Sequence, residues 1–165
     1  KFKDVNFNRK LLESSVSKKL KIKVTTRNPN HKIINPETFA VRIIRPNQND
    51  FNPPHKDIYL DRLKNAVNIY MPIIGSNIFT SLPLMKGSHI LNEKNIKRTT
   101  NGAIVNKIKF RVPCIINTSK GLKLLRPNPK KDQIMIFSPY LIHGGGSNES
   151  KNTTRISLEL RFWRA

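Results

Sequence analysis

From Arg155 to Phe162 the chain alternates without a break, with Arg155, Ser157, Glu159 and Arg161 on one side and Ile156, Leu158, Leu160 and Phe162 on the other. A period of two is the signature of a β-strand with one face in an apolar layer. Any fold for this chain must therefore supply a sheet and something to cover it. Further short β-like runs span residues 20–26, 38–45, 66–74, 104–112 and 133–137, and the last run spans 154–163. Turn signals such as Arg-Pro-Asn, Asn-Pro-Pro and Ile-Gly-Ser-Asn separate them. No glycine-rich phosphate loop follows a strand, so a sandwich or jelly roll is predicted rather than a doubly wound parallel sheet. Ahead of the strands, residues 8–19 are predicted to be a helix. Asn8 can cap it, and Leu11, Leu12, Val16 and Leu20 recur at helical spacing. At 165 residues, with no repeat and no Gly/Ser linker, the chain reads as one domain over residues 1–165. It lacks an initiating Met, which we read as a processed or trimmed product, leaving open whether residues lie upstream.

Charge narrows the function classes. The net charge is +21, which by itself suggests nucleic acid. Against that, Lys is enriched together with Asn and Ile, as AT-rich codons would produce, and the cations are spread along the chain rather than clustered. Aromatic residues are also sparse, with one Trp, three Tyr and eight Phe, so a base-stacking platform lacks material. Nucleic acid is not the expected partner. A small-molecule substrate is, and the charge leans toward an anionic one. No apolar run reaches membrane-spanning length, and no signal-peptide core opens the chain. The single cysteine, Cys114, rules out an internal disulfide and fits a reducing, cytoplasmic setting. Its apolar flanks suggest a buried, inert thiol.

Three short motifs carry chemistry: His55-Lys-Asp57, His143-Gly-Gly-Gly and Arg155-Ile-Ser157. Two imidazoles and one carboxylate can hold Fe(II) on one face and leave the opposite positions open for a chelating co-substrate and O2. Arg155 and Ser157, two apart on one strand face, offer a planar cation and a hydroxyl to a carboxylate. Each motif alone is weak. His55-x-Asp57 follows Asn-Pro-Pro and leads into Ile58-Tyr59-Leu60, which we read as a loop-to-strand junction. His143 could equally be a core histidine, and the glycines after it fit either close backbone approach or a plain turn. His89, in Gly87-Ser88-His89 after a strand over residues 79–84, reads as supporting or structural, and His31 as a surface-loop residue. Asn68 and Tyr70 share one strand face and could line a co-substrate pocket, but Val67, Ile69 and Met71 could be the inward row instead.

Taken in order, His55-x-Asp57, Lys86-Gly87-Ser88-His89, His143-Gly, Asn148 and Arg155-x-Ser157 with Arg161 resemble the phytanoyl-CoA dioxygenase-like branch of the Fe(II)/2-oxoglutarate-dependent oxygenases. The resemblance runs from about residue 52 to the C-terminus; the family form has Pro where this chain has Lys86. It implies a mainly β fold, a double-stranded β-helix (a cupin-like jelly roll) with an N-terminal helix. His55, Asp57 and His143 would ligate Fe(II), and Arg155, Ser157, Asn68 and Tyr70 would bind 2-oxoglutarate. With O2, the implied reaction hydroxylates a small molecule (a sugar, an amino-acid derivative or a lipid-linked metabolite) and releases succinate and CO2. A carboxylate at Asp57 favours hydroxylation over halogenation. Arg42, Arg161 and Lys86 are candidate substrate contacts, expected with Arg45 to crowd the site mouth if charge reflects substrate selection. The alternative is a non-oxygenase, cupin-like isomerase or binding module.

Overall fold

The computed structural model describes residues 8–29, 39–49, 52–105, 107–110, 112–130 and 132–165. Helix α1 (Arg9–Leu20) starts at Asn8, whose side chain accepts a hydrogen bond from the Leu11 amide at 3.1 Å. It stops at Lys21, which turns into the left-handed region with φ 56°. Val16 is buried, with Leu12 and Leu20 packed beside it. Leu11 instead points to solvent, one position off the apolar stripe. Glu13 ties the helix to the segment after it: one carboxylate oxygen accepts from the Thr26 amide and from the Thr25 and Thr26 hydroxyls.

Strand β9 (Arg155–Arg164) is the spine of the main sheet. Along one edge runs β3 (Ala66–Ile74), and along the other β2 (Phe39–Ile44) and the two-residue β1 (Val24–Thr25). β8 (Met135–Phe137) extends the sheet beyond β3, and every pairing is antiparallel. The alternation of β9 is realised in space. Leu158, Leu160 and Phe162 join Ile69, Val16 and Val24 in an apolar cluster between sheet and helix. Fully burying a side chain of this size contributes about 1.5–3 kcal/mol. Directly paired residues share a face, so Arg161 lies beside Asn68, Glu159 beside Tyr70, and Ser157 beside Pro72 and Arg42, all on the face away from the helix.

A second, fragmentary layer faces that polar side. β4 (Ile96–Arg98) pairs with β7 (Ile115–Thr118), and the Ile115 amide donates to Pro54 O. Single-residue bridges then link His55 to His143, His143 to Leu84, and Leu84 to Leu125. Met85, Ile96, Ile115 and Ile142 form a second apolar cluster, and Leu63, Ala66 and Trp163 a third. The architecture is mainly β and jelly-roll-like with an N-terminal helix, and among the described residues the sheets do not close into a barrel. Among the described residues no helix is long and apolar enough to cross a membrane.

Several sequence expectations are corrected. The run 104–112 is a hairpin of β5 (Ala103–Val105) and β6 (Ile108–Phe110), with Lys107 at φ 65° in the turn. Residues 79–84 do not form a strand. There the Asn77 side chain and the Thr80 hydroxyl capture nearby backbone groups and fold the segment into turns. Ile58-Tyr59-Leu60 is likewise not a strand, because Asp57–Tyr59 and Asp61–Leu63 are single 3-10 turns. Run 20–26 shrinks to β1, and β4 and β7 were not foreseen. His31 lies outside the described residues, as does part of the run 38–45.

Candidate metal centre

His55 and His143, far apart in sequence, are direct antiparallel partners. Each backbone amide donates to the other's carbonyl, at 2.9 and 3.0 Å. Such a pair puts both side chains on one side of the layer, and the ring centroids are 4.5 Å apart. Nδ1 of His55 lies 2.7 Å from Pro53 O, and Nδ1 of His143 lies 2.9 Å from Leu141 O. A carbonyl oxygen can only accept, so both rings carry their proton on Nδ1. Both Nε2 lone pairs are thereby left aimed inward, the arrangement found where histidine ligates a metal.

Asp57 supplies the third donor. The 3-10 turn that replaces the expected strand brings its carboxylate back toward the histidines, with Oδ1 3.3 Å from His55 Nε2 and 3.8 Å from His143 Nε2. Oδ2 is held from the main sheet. It accepts from Asn68 Nδ2 at 2.9 Å and from Arg161 Nη2 and Nε at 3.1 and 3.3 Å. One carboxylate oxygen is thus committed to the protein and the other to the histidines. Ligand bonds of about 2.0–2.2 Å separate neighbouring donor atoms by about 3 Å, so the three need move little to share an ion. His55, Asp57 and His143 are all buried, and their ligand atoms lie within 4.8 Å of one another.

The electrostatics suit this role. Burial, with His55 beside it, lowers the pKa of His143 to about 4, against the opposing pull of Asp57 and the Leu141 carbonyl. At neutral pH the ring is therefore uncharged, the form that binds metal. Burial alone would raise Asp57. The cationic surroundings, the Arg161 guanidinium among them, outweigh it and hold the carboxyl well below the ordinary carboxylate range. Three acceptor atoms facing one another in a buried space are mutually repulsive unless a cation joins them, and two nitrogens with one oxygen suit a borderline divalent metal.

The glycines after His143 serve close approach rather than a plain turn. Gly144 has φ +90°, and a Cβ there would lie 2.8 Å from Pro53 O and 3.1 Å from His55 Nδ1. It would strike the very carbonyl that fixes the His55 ring.

Arg155 and Ser157 are buried on the same inner face of β9. Arg155 Nη1 donates to Thr80 O at 2.9 Å, and its guanidinium carbon sits 5.9 Å from the centre of the Tyr70 ring. The hydroxyls of Ser157 and Ser81, with Asn68 Oδ1, are buried with no hydrogen-bond partner among the described residues. Tyr70 is fully buried, its hydroxyl 3.0 Å from Ser76 Oγ. Asn68 and Tyr70 thus lie on the inner row and Ile69 on the helix side, where sequence left the choice open.

The remaining candidates divide. Arg161 braces Asp57. Arg42 is paired with Glu159 at 3.2 Å, Arg45 is exposed, and Lys86 is exposed on the loop before His89. The four do not form an unpaired cationic cluster. Asn148 donates to Ile44 O and Thr153 O, fixing the loop after His143 to β2. Ser81 and Arg126 were missed; Arg126 bridges the carbonyls of Ser81 and Ser147. Nothing in the sequence around Arg126 signals that it joins two loops whose partners are main-chain atoms.

Solved structures repeat this architecture. The chain resembles EvdMO1 and AviO1 in fold. The crystal structure of EvdMO1 matches with a TM-score of 0.52 at 17% identity, covering 81% of this chain and 28% of that one. AviO1 from Streptomyces viridochromogenes Tue57 matches with a TM-score of 0.58 at 14% identity, covering 94% of this chain and 58% of that one. The likeness at such identities is one of fold, and the chain spans less than two thirds of either protein. No family model and no curated protein matches the chain.

Proposed function

We propose that the chain is an Fe(II)- and 2-oxoglutarate-dependent oxygenase acting on a small molecule. The observation that carries this reading is the convergence of His55 Nε2, His143 Nε2 and Asp57 Oδ1 on one buried point, with both imidazole Nδ1 atoms tied to carbonyls. The co-substrate half is supported by Arg155, buried on the same inner face, and by the unpartnered Ser157 hydroxyl two residues on. A guanidinium and a hydroxyl in that setting match a carboxylate.

His55, His143 and Asp57 would hold the iron. When bound, Fe(II) with 2-oxoglutarate and O2 supplies oxidative decarboxylation to succinate and CO2, coupled to hydroxylation of a substrate C–H bond. The protein's part is orientation and charge. Pro53 O and Leu141 O keep the ring protons on Nδ1. Arg161 and Asn68 keep Asp57 ionised and turn Oδ1 toward the histidines. Arg155 and Ser157 would receive the distal carboxylate of 2-oxoglutarate, with the Tyr70 ring beside the guanidinium.

Anaerobic titration tests the reading. One equivalent of Fe(II) with 2-oxoglutarate is expected to give a weak visible charge-transfer band, absent in Asp57→Ala. Arg155→Lys keeps the charge but loses the planar fork, so 2-oxoglutarate should bind at least about tenfold more weakly while Fe(II) affinity holds. A chain that binds Fe(II) but shows no band and no 2-oxoglutarate binding is not this kind of oxygenase.

A further inference from the structure

Beside the metal centre lies a groove of about 360 Å³ lined by Leu84, Lys86, His89, Phe137 and Leu141, with Gly87, Ile136 and Ser138 completing it. Two of its lining residues touch His143. Leu84 bridges to His143 in the second layer, and the Phe137 ring stands edge-on to the His143 ring at 5.0 Å. Its walls are mainly apolar, and among the described residues no carboxylate lines it. Lys86 and His89 sit on a loop anchored by the buried Ser88, whose hydroxyl accepts from the Ile142 amide at 2.8 Å, one residue before His143. Two potential cations are thus carried at a set place relative to the metal ligands.

What separates Lys86 from the other surface lysines is its place on the rim of this groove; being without a carboxylate partner sets it apart only from the cations near the metal ligands. Arg42 and Arg161, on the inner face of the main sheet, are each matched by a carboxylate, and the buried Lys56 is matched by Glu93. Among the described residues, neither Lys86 nor His89 has a carboxylate in ion-pair reach. Apolar walls with unmatched donors at the rim select a molecule that carries both features.

We propose that this groove binds an organic anion with an apolar body, its alkyl or aryl part against Leu84, Phe137 and Leu141 and its carboxylate or phosphate on Lys86 and His89. That the bound molecule is the substrate rests on the oxygenase reading; the binding preference does not.

The two are tested separately. Calorimetry on the metal-free chain compares 4-phenylbutyrate with the uncharged 4-phenylbutyramide, and phenyl phosphate is run in parallel to identify the favoured headgroup. At least one of the anions should bind about tenfold or more tighter than the amide. Lys86→Glu should erase that preference, and Lys10→Glu, an exposed lysine on α1, should leave it intact. Equal binding of anions and amide overturns the proposal, as does an equal loss in Lys10→Glu, which would mean that only the overall charge attracts the anion. Mn(II) is then added. If it binds in an Asp57-dependent way, it should broaden the proton resonances of the bound anion, which places the molecule beside the metal; binding without broadening puts the anion elsewhere and also overturns the proposal. If Mn(II) does not bind, the metal-centre reading fails, and the calorimetric comparison still decides the groove.

Discussion

Gly144 decides how His55 is oriented. Its backbone lies at φ +90°, and a methyl group there would press on Pro53 O and His55 Nδ1. Gly144→Ala should therefore displace the carbonyl that sets the ring, not merely strain the loop. Metal affinity, read by Mn(II) titration, is expected to fall about 10–100-fold, with about 1–3 kcal/mol of stability lost. Gly87→Ala is the control. Gly87 is also left-handed, at φ +76°, but has open space where its Cβ would go, so it should share the strain and spare the metal. The sequence exposed His55, Asp57 and His143 because ligation needs particular side chains. It could not expose Pro53 and Leu141, which act through carbonyls that every residue possesses. Arg161 was legible as a polar residue on the inner face of its strand, but its partner was not, because contact with Asp57 depends on how two layers meet.

The turn carrying Asp57 is braced from outside the site. Lys56, buried between the two ligands in sequence, reaches Glu93 Oε1 at 2.9 Å, and the Tyr59 hydroxyl donates to Glu93 Oε2 at 3.1 Å. Burial and the Glu93 carboxylate push the Tyr59 phenol up, so it stays a donor. Glu93→Ala would leave a buried ammonium without its anion. The expected loss is about 1–3 kcal/mol, below that of a fully buried pair because Glu93 itself is partly exposed. Adding Lys56→Met should recover most of it in denaturant melts; a double variant no better than Glu93→Ala would show that Lys56 was not the source of the loss. Helix α1 is fastened by a comparable carboxylate. Burial raises Glu13, but donors from Thr26 and Thr25 lower it further, giving a net fall. A depressed folded-state value contributes stability above the unfolded carboxyl's range and loses it as pH falls through the folded value. The stability gap between wild type and Glu13→Gln, measured by melting from pH 7 to pH 3, should accordingly narrow on acidification. Elements were legible in proportion to their length. β9 followed from the alternation over residues 155–162, and β3 from a long run of strand-forming residues. The second layer did not, because it is built from single-residue bridges and from strands of three and four residues, too short to display a period.

At the scale of the whole molecule, polarity is layered from the inside out. The main-sheet cluster lies between sheet and helix, while the space facing the second layer holds His, Asp, Asn, Arg and Ser. Within that space Asp57 is matched in contact by Arg161. The imbalance of +21 must therefore be carried mainly by the exterior, where like charges repel across solvent and folding brings them closer. Salt screens such pairs over about 8–10 Å at 0.10–0.15 M but reaches buried contacts far less. Raising KCl from about 10 mM to 300 mM, a span in which the screening length falls severalfold, should lift the melting temperature by on the order of 3–6 °C. Mn(II) affinity at the His55–Asp57–His143 centre should change much less over the same range. A melting temperature that falls with salt would mean that the surface ion pairs, such as Arg126 with Glu149, outweigh the repulsion. In that case the excess lysine would be stabilising by arrangement rather than tolerated as composition.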